Sequence, residues 1–193
     1  MINNKSNKNV YSLLGASNHC EHQRQPYDLY CTHPLAVEKL LKLEDFSNNI
    51  YEPCDGLGHI SNVLISHGYN VKRSDIITRG RDIECVDFLS LDKLEDSYDI
   101  ITNPPYLNAI DFVRRAIELV GDGRKVAMWL RILFLESQAR KVLFTQYPPK
   151  IVWISSKRIE CGMNGNFSGR SAQAYAWFVW VKNYKGTTQV NWF

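Results

Sequence analysis

Short runs of β-branched and aromatic residues alternate with segments of helical period along most of the chain, and this alternation restricts the possible folds more than any other feature. Apolar runs at 50–53, 70–76, 83–87, 98–102, 125–130, 151–155 and 174–182 read as strands. Between them, Thr32 and His33 can cap a helix with Pro34 in its first turn and Leu35, Val37, Leu40, Leu41 and Leu43 on its apolar face. A second helix starts at the glycines of Cys54-Asp55-Gly56-Leu57-Gly58, buries Ile60, Val63 and Leu64, and stops at Gly68. A third carries Ile110, Val113, Ile117 and Val120 and ends at Gly121; a fourth covers 135–144. Repeated βα units imply a mostly parallel sheet with helices on both faces. The last two strands break the rhythm, because 157–172 contains Gly162, Gly165 and Gly169 without a helical pattern; they should pair antiparallel through a long loop. The expected architecture is α/β: a seven-stranded, mostly parallel sheet with an antiparallel last strand.

A chain of 193 residues with 45% hydrophobic content buries one good-sized core. Residues 1–28, rich in Asn, Ser, Lys, His and Gln, read as a polar N-terminal arm, and 29–193 as a single domain. Five cysteines, odd in number and without a CxxC spacing, argue against a disulfide framework or a zinc ribbon and for a reducing, cytoplasmic setting. No apolar run suits a signal peptide or a membrane span, so no membrane association is expected. His19, Cys20 and His22 with Cys31 and His33 are soft ligands, but their spacing matches no finger and His33 precedes a helix-starting proline; no metal is expected. The formal charge of +3 is compatible with a nucleic-acid partner without establishing one.

Ligands of open α/β sheets bind at the carboxyl ends of the strands. Glu52-Pro53-Cys54-Asp55-Gly56-Leu57-Gly58 places a glycine turn after the first such strand, where backbone can approach a nucleotide-like cofactor. Asp75 closes the next strand, positioned to accept from ribose hydroxyls, and Asp87-Phe88 closes a third, pairing a polar edge with an apolar plane as adenosine requires. The third glycine of GxGxxG is missing and no second nucleotide half follows, so S-adenosylmethionine fits better than NAD.

After the fourth strand of the unit stands Asn103-Pro104-Pro105-Tyr106. An exocyclic aromatic amine is a poor nucleophile because its lone pair is delocalised into the ring. Two acceptors on its two hydrogens draw the nitrogen toward tetrahedral geometry and aim the lone pair at a sulfonium methyl. The Asn103 side-chain carbonyl and the Pro104 main-chain carbonyl can serve as those acceptors, the prolines stiffen the loop, and Tyr106 offers a ring for a flipped base.

These residues, with Gly15-Ala16-Ser17-Asn18-His19, Tyr30-x-Thr32-His33-Pro34 and Ala174-Tyr175-Ala176-Trp177-Phe178-Val179-Trp180, make the chain resemble the amino-methyltransferases with an Asn-Pro-Pro-Tyr motif. The resemblance is to the short adenine-specific DNA methyltransferases of phages and prophages in particular, over nearly the whole chain. It implies a Rossmann-like class I methyltransferase fold, S-adenosylmethionine as cofactor, and DNA as the partner, methylated at adenine N6. It also implies that Thr32 contacts the methionine carboxylate, that residues 52–58 (Glu52, Pro53, Cys54, Gly56 and Gly58 among them) surround the methionine part, and that Asp75 holds the ribose. Asp87 and Phe88 would hold the adenine. Two departures stand out. The chain stops just after its expected last strand, so no separate target-recognition domain is anticipated. Where larger relatives carry an aromatic residue after the sixth strand, this chain has Arg158-Ile159-Glu160-Cys161; Phe167 is the candidate replacement.

Basic residues gather near the expected crevice: Arg73, Arg79 and Arg81, then Lys157, Arg158 and Arg170. Such residues position a phosphate backbone without reading bases. RNA adenine, a protein glutamine amide, or a noncatalytic partner subunit with the same fold remain as alternatives.

Overall fold

The structure, a computed structural model, describes residues 29–163, 165–167 and 173–193. The elements are β1 (Tyr30–Thr32), α1 (Pro34–Leu43), β2 (Asn49–Glu52), α2 (His59–Ser66), β3 (Asn70–Asp75), β4 (Glu84–Cys85), β5 (Tyr98–Thr102), α3 (Ala109–Leu119), β6 (Lys125–Arg131), α4 (Gln138–Gln146), β7 (Ile151–Ile154), β8 (Cys161–Met163), β9 (Tyr175–Val181) and β10 (Gln189–Trp192). The main sheet runs β10-β7-β9-β6-β5-β2-β3-β4. Strands β4, β3, β2, β5 and β6 are mutually parallel, and β9 lies antiparallel between β6 and β7. From β2 the chain winds outward to β4, then returns to the other side of β2 at β5. That reversal opens a crevice beyond the carboxyl ends of β2 and β5.

Both faces of the sheet are covered, which is why its central strands read as continuous apolar runs. Ile50, Ile101, Ala127 and Trp129 pack against Val37 and Leu40 of α1 and Val63 and Leu64 of α2. Their sequence neighbours Tyr51, Ile100, Val126, Met128 and Leu130 face Phe112, Val113, Ala116 and Ile117 of α3 and Leu143 of α4. Each fully buried side chain of this size contributes roughly 1.5–3 kcal/mol relative to exposure. The Trp177 indole N–H donates to the Ala36 carbonyl (2.8 Å), tying β9 to α1 across the core.

The expected elements are present, with four differences. The sheet has eight strands: β10 pairs parallel with β7, Trp192 opposite Ile154, on a strand whose side chains are all exposed and whose periodicity is correspondingly weak. The segment read as loop, 157–172, contributes β8, which pairs antiparallel with β1 in a separate two-stranded ribbon. Leu135, expected to begin the fourth helix, instead closes a 3-10 turn, Ile132–Leu135, and α4 starts three residues late because the Ser137 hydroxyl caps it by accepting from the Arg140 N–H. On α1 the buried face is Ala36, Val37 and Leu40, while Leu35 is exposed; the register set by Pro34 at the first turn turns it outward. The polar arm at 1–28 lies outside the described residues. No helix among the described residues is long and apolar enough to cross a membrane.

Candidate active site

The carboxyl ends of β2, β3 and β5 converge with β1 on one cavity of about 220 Å³. Its wall includes the predicted residues Thr32, Pro53, Cys54, Gly56, Asp75, Arg79, Asp87, Phe88, Asn103 and Pro105. Residues separated by up to 73 positions in the chain therefore share one wall, as the crossover topology dictates.

The glycine turn is built by its own hydrogen bonds. Gly56 and Gly58 take left-handed backbone angles (φ 52° and 83°), which suit glycine, and a Cβ on Gly58 would collide with the Arg81 guanidinium. Arg81 pairs with the buried Asp55 carboxylate. Asp75 closes the turn from the next strand: Oδ2 accepts from the Gly56 N–H (2.9 Å), and Oδ1 from the Ile77 N–H (3.0 Å) and the Arg79 guanidinium (2.9 Å). Arg79, expected to meet phosphate, is thus paired with Asp75. Asp87 caps the Phe88–Ser90 turn, accepting from the Leu89 N–H and the Ser90 hydroxyl (both 3.0 Å), and is itself exposed. Phe88 is buried and stacks on Phe112 with centroids 5.1 Å apart while still lining the cavity.

Three buried oxygens on this side have no partner: Thr32 Oγ1, Glu52 Oε2 and Asp55 Oδ1. Glu52 lies behind the cavity wall, where Oε1 accepts from the Thr102 hydroxyl (2.5 Å) and the Cys54 N–H (2.9 Å). Burial holds its carboxyl well above the usual range, with the Asp55 and Asp75 charges adding to the shift.

Asn103 begins the other side of the cavity. Its Nδ2 donates to the Tyr30 carbonyl (2.8 Å), and its Oδ1 is buried without a partner. Pro104 is buried beside it. Tyr106 is half-buried and packs against Tyr30 (centroids 5.4 Å), with the Arg131 guanidinium 4.4 Å from its ring centre and its hydroxyl 3.1 Å from that of Tyr175. Burial pushes the Tyr106 hydroxyl well above its usual range. Tyr30 and Arg131 thus already lie against this ring.

The sequence reading missed three partners of this site. Tyr30 contributes a main-chain carbonyl, which no side-chain pattern signals. Arg131 left a clue, a charge ending the buried run Val126-Ala127-Met128-Trp129-Leu130 at the carboxyl edge. His59 lines the cavity, and with His33 it brackets Phe167 edge-on (5.2 and 4.8 Å). Phe167 therefore packs behind His59 on the glycine-turn side and does not itself line the cavity. Arg158 is exposed in the segment after β7, and Arg170 lies outside the described residues. Of the soft-ligand group, Cys31 is buried in β1 and His33 caps α1 through Nδ1, while His19, Cys20 and His22 lie outside the described residues.

No protein-family model matches the chain, and no curated protein matches it. Solved structures do. A candidate RNA methyltransferase, PH1948 of Pyrococcus horikoshii, superposes with a TM-score of 0.60 at 14% identity, over 82% of this chain and 91% of that one. A candidate hemolysin from Lactococcus lactis gives 0.60 at 16% identity over 82% and 91%. A candidate class I S-adenosylmethionine-dependent methyltransferase, lmo1582 of Listeria monocytogenes, gives 0.57 at 9% identity over 95% and 71%. Identities this low speak to the fold, which is the Rossmann-like fold of class I methyltransferases.

Proposed function

We propose that this chain is an S-adenosylmethionine-dependent methyltransferase acting on the N6 amine of adenine in DNA. The observation that carries the reading is Asn103: its amide is held by the Tyr30 carbonyl so that Oδ1, buried and without a partner, is the acceptor presented beside the cavity. A buried acceptor left unsatisfied costs about 1–3 kcal/mol, a cost that a substrate amine hydrogen would remove.

The residues around the cavity fit the cofactor. Thr32 Oγ1 is a buried hydroxyl without a partner, suited to a carboxylate. Asp75 Oδ2 accepts a single bond, from Gly56, leaving a lone pair for a ribose hydroxyl, and Phe88 supplies an apolar plane for adenine. Glu52 keeps its proton here, which leaves three carboxylates at this end, Asp55, Asp75 and Asp87, against two guanidinium groups, Arg79 and Arg81. That balance suits a cationic ligand better than the pyrophosphate of NAD. When bound, S-adenosylmethionine supplies an electrophilic methyl group on sulfur.

The chain's own contribution is geometry. Asn103 Oδ1 and the Pro104 carbonyl take the two amine hydrogens, localise the nitrogen lone pair, and hold it in one direction. No strong base is needed, since the surplus proton of the methylated amine is acidic enough to leave to water. The adenine and DNA assignments rest on the Asn-Pro-Pro-Tyr resemblance, because the fold alone accommodates many acceptors.

Transfer of labelled methyl groups to DNA, RNA and protein, with nucleoside analysis of the product, tests this reading. N6-methyladenine in DNA is the expected outcome. Labelling confined to RNA or to glutamine moves the substrate assignment, and calorimetry that finds NAD binding but no S-adenosylmethionine binding overturns the cofactor.

A further inference from the structure

Leu107 is the most exposed large apolar side chain among the described residues, at 71%, and it stands directly after the Asn-Pro-Pro-Tyr segment. A stiff turn holds it out. Two prolines precede it, the Asn108 N–H donates to the Pro105 carbonyl (3.2 Å), and Tyr106 on one side is fixed against Tyr30 and Arg131. On the other side Ala109 and Phe112 anchor the first turn of α3 in the core, so the leucine cannot fold back.

An isolated exposed leucine is ordinary. This one has company of a particular kind. Leu57, Ile76, Leu133 and Leu135 are also exposed, and each lies in a segment that follows the carboxyl end of β2, β3 or β6. Leu57 and Ile76 belong to the cavity wall itself, and Leu133 and Leu135 to the edge beyond β6. On the side of that edge that carries Leu133 and Leu135 the charge favours a polyanion: the segments 131–146 and 155–158 hold Arg131, Arg140, Lys141, Lys157 and Arg158 against one acid, Glu136. Apolar side chains among cations suit a nucleic acid whose base stack is opened.

We infer that Leu107 is a wedge: the substrate is duplex DNA, and the leucine fills the space that the target base leaves in the stack as it turns out toward Asn103. This rests on the reading of the site as a nucleic-acid adenine methyltransferase. A base enters the cavity only by leaving its neighbours, and an apolar side chain in the gap takes over part of their contact and delays the return. Leu107 precedes α3 and follows the acceptor loop, so wedge and acceptors move as one stiff unit.

The wedge is needed on a duplex and has nothing to fill on a single strand, which supplies the test. Methylation of one oligonucleotide, single-stranded and annealed, is compared for the wild type, Leu107→Ala and Leu107→Met, with thermal melting to confirm folding. Leu107→Ala is expected to lose about tenfold or more in kcat/KM on the duplex and to stay within about twofold on the single strand, while Leu107→Met retains most duplex activity. Equal losses on both substrates, or no loss on the duplex, overturn the wedge while leaving the methyltransferase reading intact. A wild type that methylates only single strands does the same. A wild type that methylates neither overturns both.

Discussion

Asn103 and Tyr30 are joined by a hydrogen bond of 2.8 Å in which the side-chain amide donates to a main-chain carbonyl, and this bond decides which Asn103 atom is available. The Tyr30 carbonyl can only accept, so it must face the NH2 group; Oδ1 is left as acceptor. The two-stranded ribbon of β1 and β8 is what places Tyr30 there.

Asn103→Ala should therefore lower turnover by about 10²–10³, the usual cost of a preorganised group that acts in the transition state. S-adenosylmethionine affinity should be nearly unchanged. Asn103→Asp keeps an acceptor but has no hydrogen for the Tyr30 carbonyl, and should fall between wild type and Ala. Steady-state assays at saturating cofactor, with calorimetry on each variant, check this; wild-type turnover in Asn103→Ala would remove the residue from the mechanism.

Asp75 organises the turn around it, since the Gly56 N–H, the Ile77 N–H and Arg79 all donate to it. Asp75→Ala should weaken S-adenosylmethionine binding by roughly 10–100-fold, in line with about 1.5–3 kcal/mol for a hydrogen bond to a charged group. It should also lower Tm, because two backbone donors lose their acceptor. Arg79→Ala leaves both of those in place and should cost much less in Tm. Calorimetry and thermal melting on both variants distinguish the two, and equal Tm losses would contradict this division of roles.

Glu52 gives a pH signature. Burial raises its carboxyl in the folded protein, so the folded state keeps a proton that an unfolded glutamate releases near pH 4.3. The unfolded state then binds fewer protons than the folded one, and Glu52's contribution to stability falls as pH rises from about 4.3 through the raised folded value. Glu52→Gln cannot ionise, and its Oε1 can still accept from Thr102 and Cys54. The stability of Glu52→Gln relative to wild type should therefore improve as pH is raised across that window. Urea denaturation at several pH values measures it; a difference independent of pH would mean that Glu52 ionises normally.

Much of the site was legible because its residues end strands. The glycine turn, Asp75, Asp87 and Asn103 each stop an apolar run, and in a parallel sheet all such ends meet on one edge. What stayed hidden has physical causes. β10 is exposed along its length, so no alternation betrays it. β8 is three residues long in a glycine-rich segment and exists only by pairing with β1, a contact between residues about 130 positions apart. The neighbours of Tyr106 were equally hidden, because a sequence names the ring without saying what already lies against it.

Those neighbours sharpen the last prediction, which sets Tyr106→Phe against Tyr106→Ala. The tyrosine makes two separable contributions: a hydroxyl 3.1 Å from that of Tyr175, and a ring packed with Tyr30 and Arg131. Tyr106→Phe removes only the first, a neutral hydrogen bond that contributes about 1 kcal/mol, and should keep most methylation activity. Tyr106→Ala removes the ring as well, so Arg131 loses its aromatic partner and the turn carrying Asn103 loses its outer support. Stability should fall by something of the order of 3 kcal/mol, and turnover and productive substrate capture should fall together. Arg131→Met separates packing from charge: it fills a similar volume without a cation, and should leave the fold near wild-type stability while loosening the ring. If the ring acts as a platform for the target base, Tyr106→Trp should retain activity and Arg131→Met should change KM more than kcat. Activity equally lost in Tyr106→Phe and Tyr106→Ala, in proteins that both melt cooperatively, would instead assign the essential role to the hydroxyl and end the platform reading.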